Sequence, residues 1–175
     1  MAFRGRAAGP NANAVRGARN RAAGKLFEQV IKDACDRYRQ EGKAEIDKTP
    51  EPIRQLGGMD RNGRFQACYE RRAQPDFKGT LNDGQSVVFE AKFTSANRIG
   101  QDVVLPQQAE ALDRHMKLGA ECFILVGFGL DDCYSVPWMV WRDMKEYFGR
   151  KYVTPKDLRE REFAVQYQGG VLRFL

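Results

Sequence analysis

Apolar residues recur at helical spacing between Gly24 and Arg39, where Leu26, Phe27, Val30, Ile31, Ala34, Cys35 and Tyr38 form one stripe. The stretch therefore predicts an amphipathic helix. Glu28 lies at the edge of that stripe, on the side of Ile31 and Cys35, from where a carboxylate can point along the packed interface. Glu41-Gly42 ends the helix, and Ala44–Asp47 predicts a short strand. Between 48 and 75, Thr49-Pro50-Glu51-Pro52, Gly57-Gly58 and Asn62-Gly63 leave room for no long element. Phe65–Tyr69 still reads as a strand after the Asn-Gly turn. The clearest hairpin turns at Leu81-Asn82-Asp83-Gly84 and continues as the strand Ser86–Thr94. Leu105, Ala109, Leu112 and Met116 make a second helical stripe, with Pro106 suited to a first turn. A buried strand at Cys122–Val126, a turn at Asp131-Asp132 and a strand at Cys133–Val136 come next. Helices follow around Trp138–Phe148 and from Thr154-Pro155 to about Arg161, then a hairpin of Phe163–Tyr167 and Val171–Phe174. The order helix, strands, helix, strands, helix predicts an α/β fold around a mixed sheet.

Composition adds an N-terminal asymmetry. Of 29 Lys and Arg against 23 Asp and Glu, six basic residues and no acid fall in the first 25 residues: Arg4, Arg6, Arg16, Arg19, Arg21 and Lys25. Residues 1–24 are Gly, Ala, Asn and Arg in low-complexity order, too poor in apolar groups to offset their ordering entropy. They predict a disordered basic arm suited to a phosphate backbone, with a transit peptide or a solubilising tail as alternatives. Residues 25–175 then form a single domain. Segment 48–75 carries Lys48, Arg54, Arg61, Arg64, Arg71 and Arg72 against three acids, which reads equally as an exposed cationic excursion or a solvated loop. One histidine, His115, excludes multi-His zinc sites, and four scattered cysteines without CxxC read as reduced and intracellular. No apolar run approaches a membrane span, so no membrane partner is expected.

The chemistry gathers at the hairpin. Side chains alternate along a strand, so Val87, Phe89, Ala91 and Phe93 share one face, and Glu90 and Lys92 the other. In isolation Glu-x-Lys is an ordinary surface pair. Asp76, however, begins the first hairpin strand 14 residues earlier, and a turn near Asn82–Gly84 brings it beside Glu90. Two adjoining carboxylates repel and call for a cation. Oxygen ligands without histidine select Mg2+, with Mn2+ able to substitute. A nearby lysine can orient water or stabilise phosphoryl charge. Pro75-Asp76, about 14 residues, then Glu90-Ala91-Lys92 resembles the PD-(D/E)xK nuclease motif.

Further landmarks accompany it. Gly24-Lys25-Leu26-Phe27-Glu28 and Lys48-Thr49-Pro50-Glu51-Pro52 precede Asp76-Phe77-Lys78-Gly79 and Phe89-Glu90-Ala91-Lys92. Gln108-Ala109-Glu110-Ala111-Leu112 and Gly119-Ala120-Glu121-Cys122-Phe123 complete the series. Over roughly residues 20–160 this order resembles the RecU-type Holliday junction resolvases. The resemblance implies a restriction-endonuclease-like core with a mixed central sheet flanked by helices. A projecting stalk, here about 50–72, would enter the junction centre.

It also implies a homodimeric, Mg2+-dependent endonuclease that makes paired symmetric nicks in four-way DNA junctions during recombination and repair, in the cytoplasm of a bacterial cell, at its nucleoid, whether chromosome- or phage-encoded. Asp76 and Glu90 would hold the metal, and Lys92, Glu28 and Gln108 would complete the catalytic set. Water aligned by Lys92 would attack in line, leaving a 5′-phosphate and a 3′-hydroxyl. The six basic residues of the first 25, with Arg54, Arg61, Arg64, Arg71, Arg72 and Lys78, would contact DNA. The family commonly places hydroxyl residues just before the motif aspartate, whereas Gln74 and Pro75 stand here, and Ser95–Val104 matches the family poorly. A nuclease acting on ordinary duplex and a non-enzymatic basic DNA-binding protein remain the alternatives.

Overall fold

The computed structural model describes residues 12–50, 53–69 and 74–175, with side chains from residue 17 onward and without that of Tyr69. The first helix, α1 (Ala12–Gln40), is 29 residues long and begins twelve residues before Gly24. This corrects the reading of 1–24 as one disordered arm. Ala12, Ala14, Ala18, Ala22 and Ala23 are the strongest helix formers, and together with arginines they outweigh Gly17, Asn20 and Gly24. Ser95 Oγ donates to Asn20 Oδ1 at 2.7 Å and ties this extension to the body of the protein. Arg4 and Arg6 lie outside the described residues, as does the Arg16 side chain.

The strands β1 (Ala44–Lys48), β4 (Phe77–Leu81), β5 (Ser86–Thr94), β7 (Glu121–Phe128), β8 (Cys133–Pro137), β10 (Ala164–Gln168) and β11 (Val171–Arg173) make one seven-stranded sheet in the order β1-β4-β5-β7-β8-β10-β11. Only β5 and β7 pair in parallel, which makes the sheet mixed as expected. Helix α2 (Pro106–Lys117) supplies the long return that a parallel pair requires. The sheet curls until its last strand meets α1. There Tyr38 Oη accepts from the Phe174 and Leu175 N–H groups, and Arg173 pairs with Glu41 through both guanidinium Nη atoms.

Two cores lie on the two faces of this sheet. On one, Phe27, Ile31, Ala34, Cys35 and Tyr38 of α1 pack on Ile46, Phe77, Val87, Phe89 and Phe123. Phe89 stacks between Phe77 and Phe123 with centroids 4.9 and 4.6 Å away. On the other, Val88, Ile124, Val126, Tyr134 and Val136 pack beneath α2, α3 (Trp138–Arg142), α4 (Met144–Phe148) and α5 (Pro155–Glu160). The strand β5 is thus covered on both sides, and its outer face is no solvated surface. Gly79 is required where β1 crosses β4, because a Cβ there would stand 2.1 Å from the Glu45 carbonyl oxygen.

The segment expected to hold no long element contains a hairpin, β2 (Ile53–Leu56) with β3 (Gln66–Tyr69), which pairs with no other strand among the described residues. Its described side chains are exposed, apart from a half-buried Cys68. Two two-residue strands, β6 (Ile99–Gly100) and β9 (Tyr152–Val153), pair with each other beside a 3-10 turn at Gln101–Val103. No described helix is long and apolar enough to cross a membrane.

Candidate active site

The hairpin register fixes the site. Phe77 pairs with Phe89, so the next pair outward sets Asp76 opposite Glu90. Residues directly opposite in an antiparallel ladder share a face, and here that face lies under α2. Asp76 Oδ2 accepts the Ala91 N–H at 3.0 Å, which holds the aspartate across the end of β4. Glu90 is the single buried charged residue among those described, with no exposed surface.

Lys92 follows Glu90 by two residues on the same face, and its Nζ donates to Glu90 Oε2 at 3.0 Å. Gln108, from the first turn of α2, closes the group. Its Nε2 donates to Glu90 Oε2 at 2.6 Å, while its Oε1 accepts from Lys92 Nζ at 3.2 Å and from the Leu105 N–H at 3.0 Å. The Leu105 bond caps the helix and fixes the orientation of the amide, so the helix start itself positions Gln108. Four of the five expected catalytic residues, Asp76, Glu90, Lys92 and Gln108, therefore converge.

Glu28 does not join them. It forms an ion pair with Lys48, whose partner in the ladder is Phe77, and that row faces α1 rather than α2. No three His, Cys, Asp or Glu side chains among the described residues gather as a metal-binding cluster. The carboxylates of the site are a pair.

Burial pushes the Glu90 carboxyl up to about 8, and the adjoining Asp76 carboxyl adds to the rise while Lys92 opposes it. One of its oxygens is saturated by Lys92 and Gln108. The other, Oε1, is buried with no hydrogen-bond partner among the described residues. An acidic pair with an unmatched buried oxygen and hard donors only suits a divalent cation, which would both satisfy Oε1 and hold Glu90 ionised. The residues present thus fit Mg2+ or Mn2+.

Of the residues expected at DNA, Arg19, Arg21 and Lys25 are exposed on α1, and Arg54, Arg61 and Arg64 on the β2–β3 hairpin. Lys78 is half-buried, its Nζ bonded to Gln74 Oε1 at 2.7 Å. Arg71 and Arg72 lie outside the described residues. All four cysteines are free, and burial holds the Cys35, Cys122 and Cys133 thiols above their ordinary range. Trp141 is core with no exposed area. Thr49 drew no role from the sequence, yet its N–H donates to the Asp76 carbonyl at 2.8 Å and extends the same row by one strand. Only the register reveals it.

Three similarities bear on this arrangement. The sequence matches the model of the family described as Recombination protein U over residues 22–175. It is 32% identical over 121 residues to "Holliday junction resolvase RecU" of Streptococcus pneumoniae strain Hungary19A-6, covering 65% of this chain and 60% of that protein. The same figures hold for the protein of that name from strain CGSP14. The chain therefore spans 60% of the length of these curated relatives. Among solved structures, the Holliday junction resolvase Hjc of Archaeoglobus fulgidus aligns with a TM-score of 0.46 at 10% identity, covering 76% of this chain and 92% of that one. With the family match running from within α1 to the last residue, this chain belongs to the Recombination protein U family.

Proposed function

We propose that the chain is a structure-specific, divalent-metal-dependent endonuclease that resolves four-way DNA junctions by paired symmetric nicks in homologous recombination and repair. The observation that carries the reading is the buried Glu90 with its unmatched Oε1, set opposite Asp76 and bonded to Lys92 and Gln108. The names of the Streptococcus relatives support the same activity.

Asp76 and Glu90 would hold Mg2+, or Mn2+ in its place. When bound, the cation supplies Lewis-acid stabilisation of phosphoryl charge and lowers the pKa of water. The chain's own residues do the rest. Lys92 Nζ has one donor to spare and is placed to align the attacking water or to stabilise charge on a non-bridging oxygen. Gln108 keeps Glu90 and Lys92 in register with each other. In-line attack leaves a 5′-phosphate and a 3′-hydroxyl. Glu28, paired with Lys48 on the other face, acts from outside the metal pair.

The β2–β3 hairpin is the stalk that enters the junction centre. The exposed basic residues of α1 and the hairpin neutralise phosphates. Paired nicks on a nearly two-fold symmetric junction require two sites related by a two-fold axis, hence a homodimer.

The test is cleavage of a synthetic four-way junction and a matched linear duplex, with Mg2+ and then EDTA. Symmetric nicks confined to the junction and lost in EDTA are expected. Equal cutting of both substrates would replace resolution with general duplex cleavage, and binding without cutting would remove the enzyme reading.

A further inference from the structure

Gln74 and Pro75 stand where the resemblance places hydroxyl residues ahead of Asp76. The proline ring offers no polar atom, and Gln74 Oε1 is taken up by Lys78 Nζ at 2.7 Å. Another strand brings a hydroxyl to the same face. Thr49 continues β1 past Lys48, and the register that pairs Lys48 with Phe77 sets Thr49 opposite Asp76, sealed by the 2.8 Å bond from Thr49 N–H to the Asp76 carbonyl. Thr49 and Asp76 thus extend the β1–β4 ladder by one pair beyond the strands, in line with Glu90 of β5, and directly opposed Cβ atoms in such a ladder stand about 5 Å apart. Two buried oxygens in this row have no hydrogen-bond partner among the described residues, Thr49 Oγ1 and Glu90 Oε1, one on either side of Asp76. Leaving such groups unpaired is costly, so each calls for a partner of its own.

We propose that Thr49 Oγ1 is a third, neutral oxygen of the divalent-cation site, taking the place of the hydroxyl absent at Gln74-Pro75. The assignment rests on the metal-dependent nuclease reading of Asp76 and Glu90. It fits the chemistry of a small hard cation, which combines one or two carboxylates with neutral oxygens. The hydroxyl supplies a lone pair without adding a third negative charge to a buried pair that already repels. It also explains why a polar residue sits at a position where valine would fill the same volume.

The experiment is Mn2+ binding to the DNA-free protein, followed by electron paramagnetic resonance, for wild type, Thr49→Val, Thr49→Ser, Thr49→Ala and Asp76→Ala. Thermal melts in EDTA show that each variant is folded. Thr49→Val and Thr49→Ala are expected to weaken Mn2+ binding about tenfold or more, with Thr49→Ser close to wild type. The Mg2+ concentration for half-maximal cleavage should rise in the same order. Wild-type Mn2+ affinity in folded Thr49→Val, with binding lost in Asp76→Ala, would overturn the role of Thr49 and leave the carboxylate site standing. Absence of Mn2+ binding in wild type, or binding indifferent to Asp76→Ala, would overturn the carboxylate site and the inference with it.

Discussion

Glu90 carries opposite demands in its two states. Without a cation it is a buried acid that holds its proton up to about 8, against an ordinary value of 4.5. The folded chain therefore binds more protons than the unfolded one between those values. The contribution of Glu90 to stability is fully present below about 4.5 and is lost as the pH rises through the window. Glu90→Gln keeps the shape and removes the titration. In EDTA the wild-type protein should lose stability relative to Glu90→Gln between pH 5 and 8, by on the order of several kcal/mol. Melting curves of the two proteins across that range decide it, and parallel profiles would show that Glu90 is not the buried titrating acid. Much of this site was legible in the residues. The Asn82–Gly84 turn fixes the hairpin register, and that register alone brings Asp76 to Glu90. Burial of Glu90 was less plain, although the unbroken Val87-Val88-Phe89 run is the mark of a strand covered on both faces. Thr49 was hidden because its pairing with Asp76 bridges 27 residues and an intervening hairpin.

At the scale of elements, α1 is where sequence and structure part furthest. Its first half reads as low-complexity polymer because Gly, Asn and Arg dominate the eye, yet alanine spaced through it carries the helix to Ala12. The consequence is geometric. A mobile arm would present its basic groups in any direction, whereas a helix fixes them. Arg21 and Lys25, four residues apart, share one side of α1, and Arg19 points away from both. Only one of these sides can lie along a given duplex arm. Replacing Arg21 and Lys25 together by alanine should lower the slope of log affinity against log salt by about 2, at roughly 0.9 per phosphate contact. Junction titrations from low to moderate salt measure it, and an unchanged slope would place this side of the helix away from DNA. The short pair β6–β9 left no pattern to read, since two residues have no periodicity. The β2–β3 hairpin was half legible: the Asn62-Gly63 turn and the β3 strand were visible, whereas Ile53–Leu56 follows two prolines and shows no alternation.

For the whole molecule, the mixed seven-stranded sheet puts the acidic pair on one face, between the strand that bears it and α2, while α1 covers the other face. The alternation of helical and strand patterns made this α/β layering legible. The closing of the sheet onto α1 was not, because it depends on Tyr38 and Glu41 meeting the chain's last residues, a contact between opposite ends of the sequence. On the proposed function the carboxylate pair cuts junction DNA and does not merely bind it. Wild type and Asp76→Ala, compared for binding and for single-turnover cleavage of the same four-way junction in Mg2+, separate the two. Asp76→Ala is expected to bind the junction at least as tightly as wild type and to leave it uncut. Cleavage by folded Asp76→Ala at the wild-type rate would contradict the proposed function.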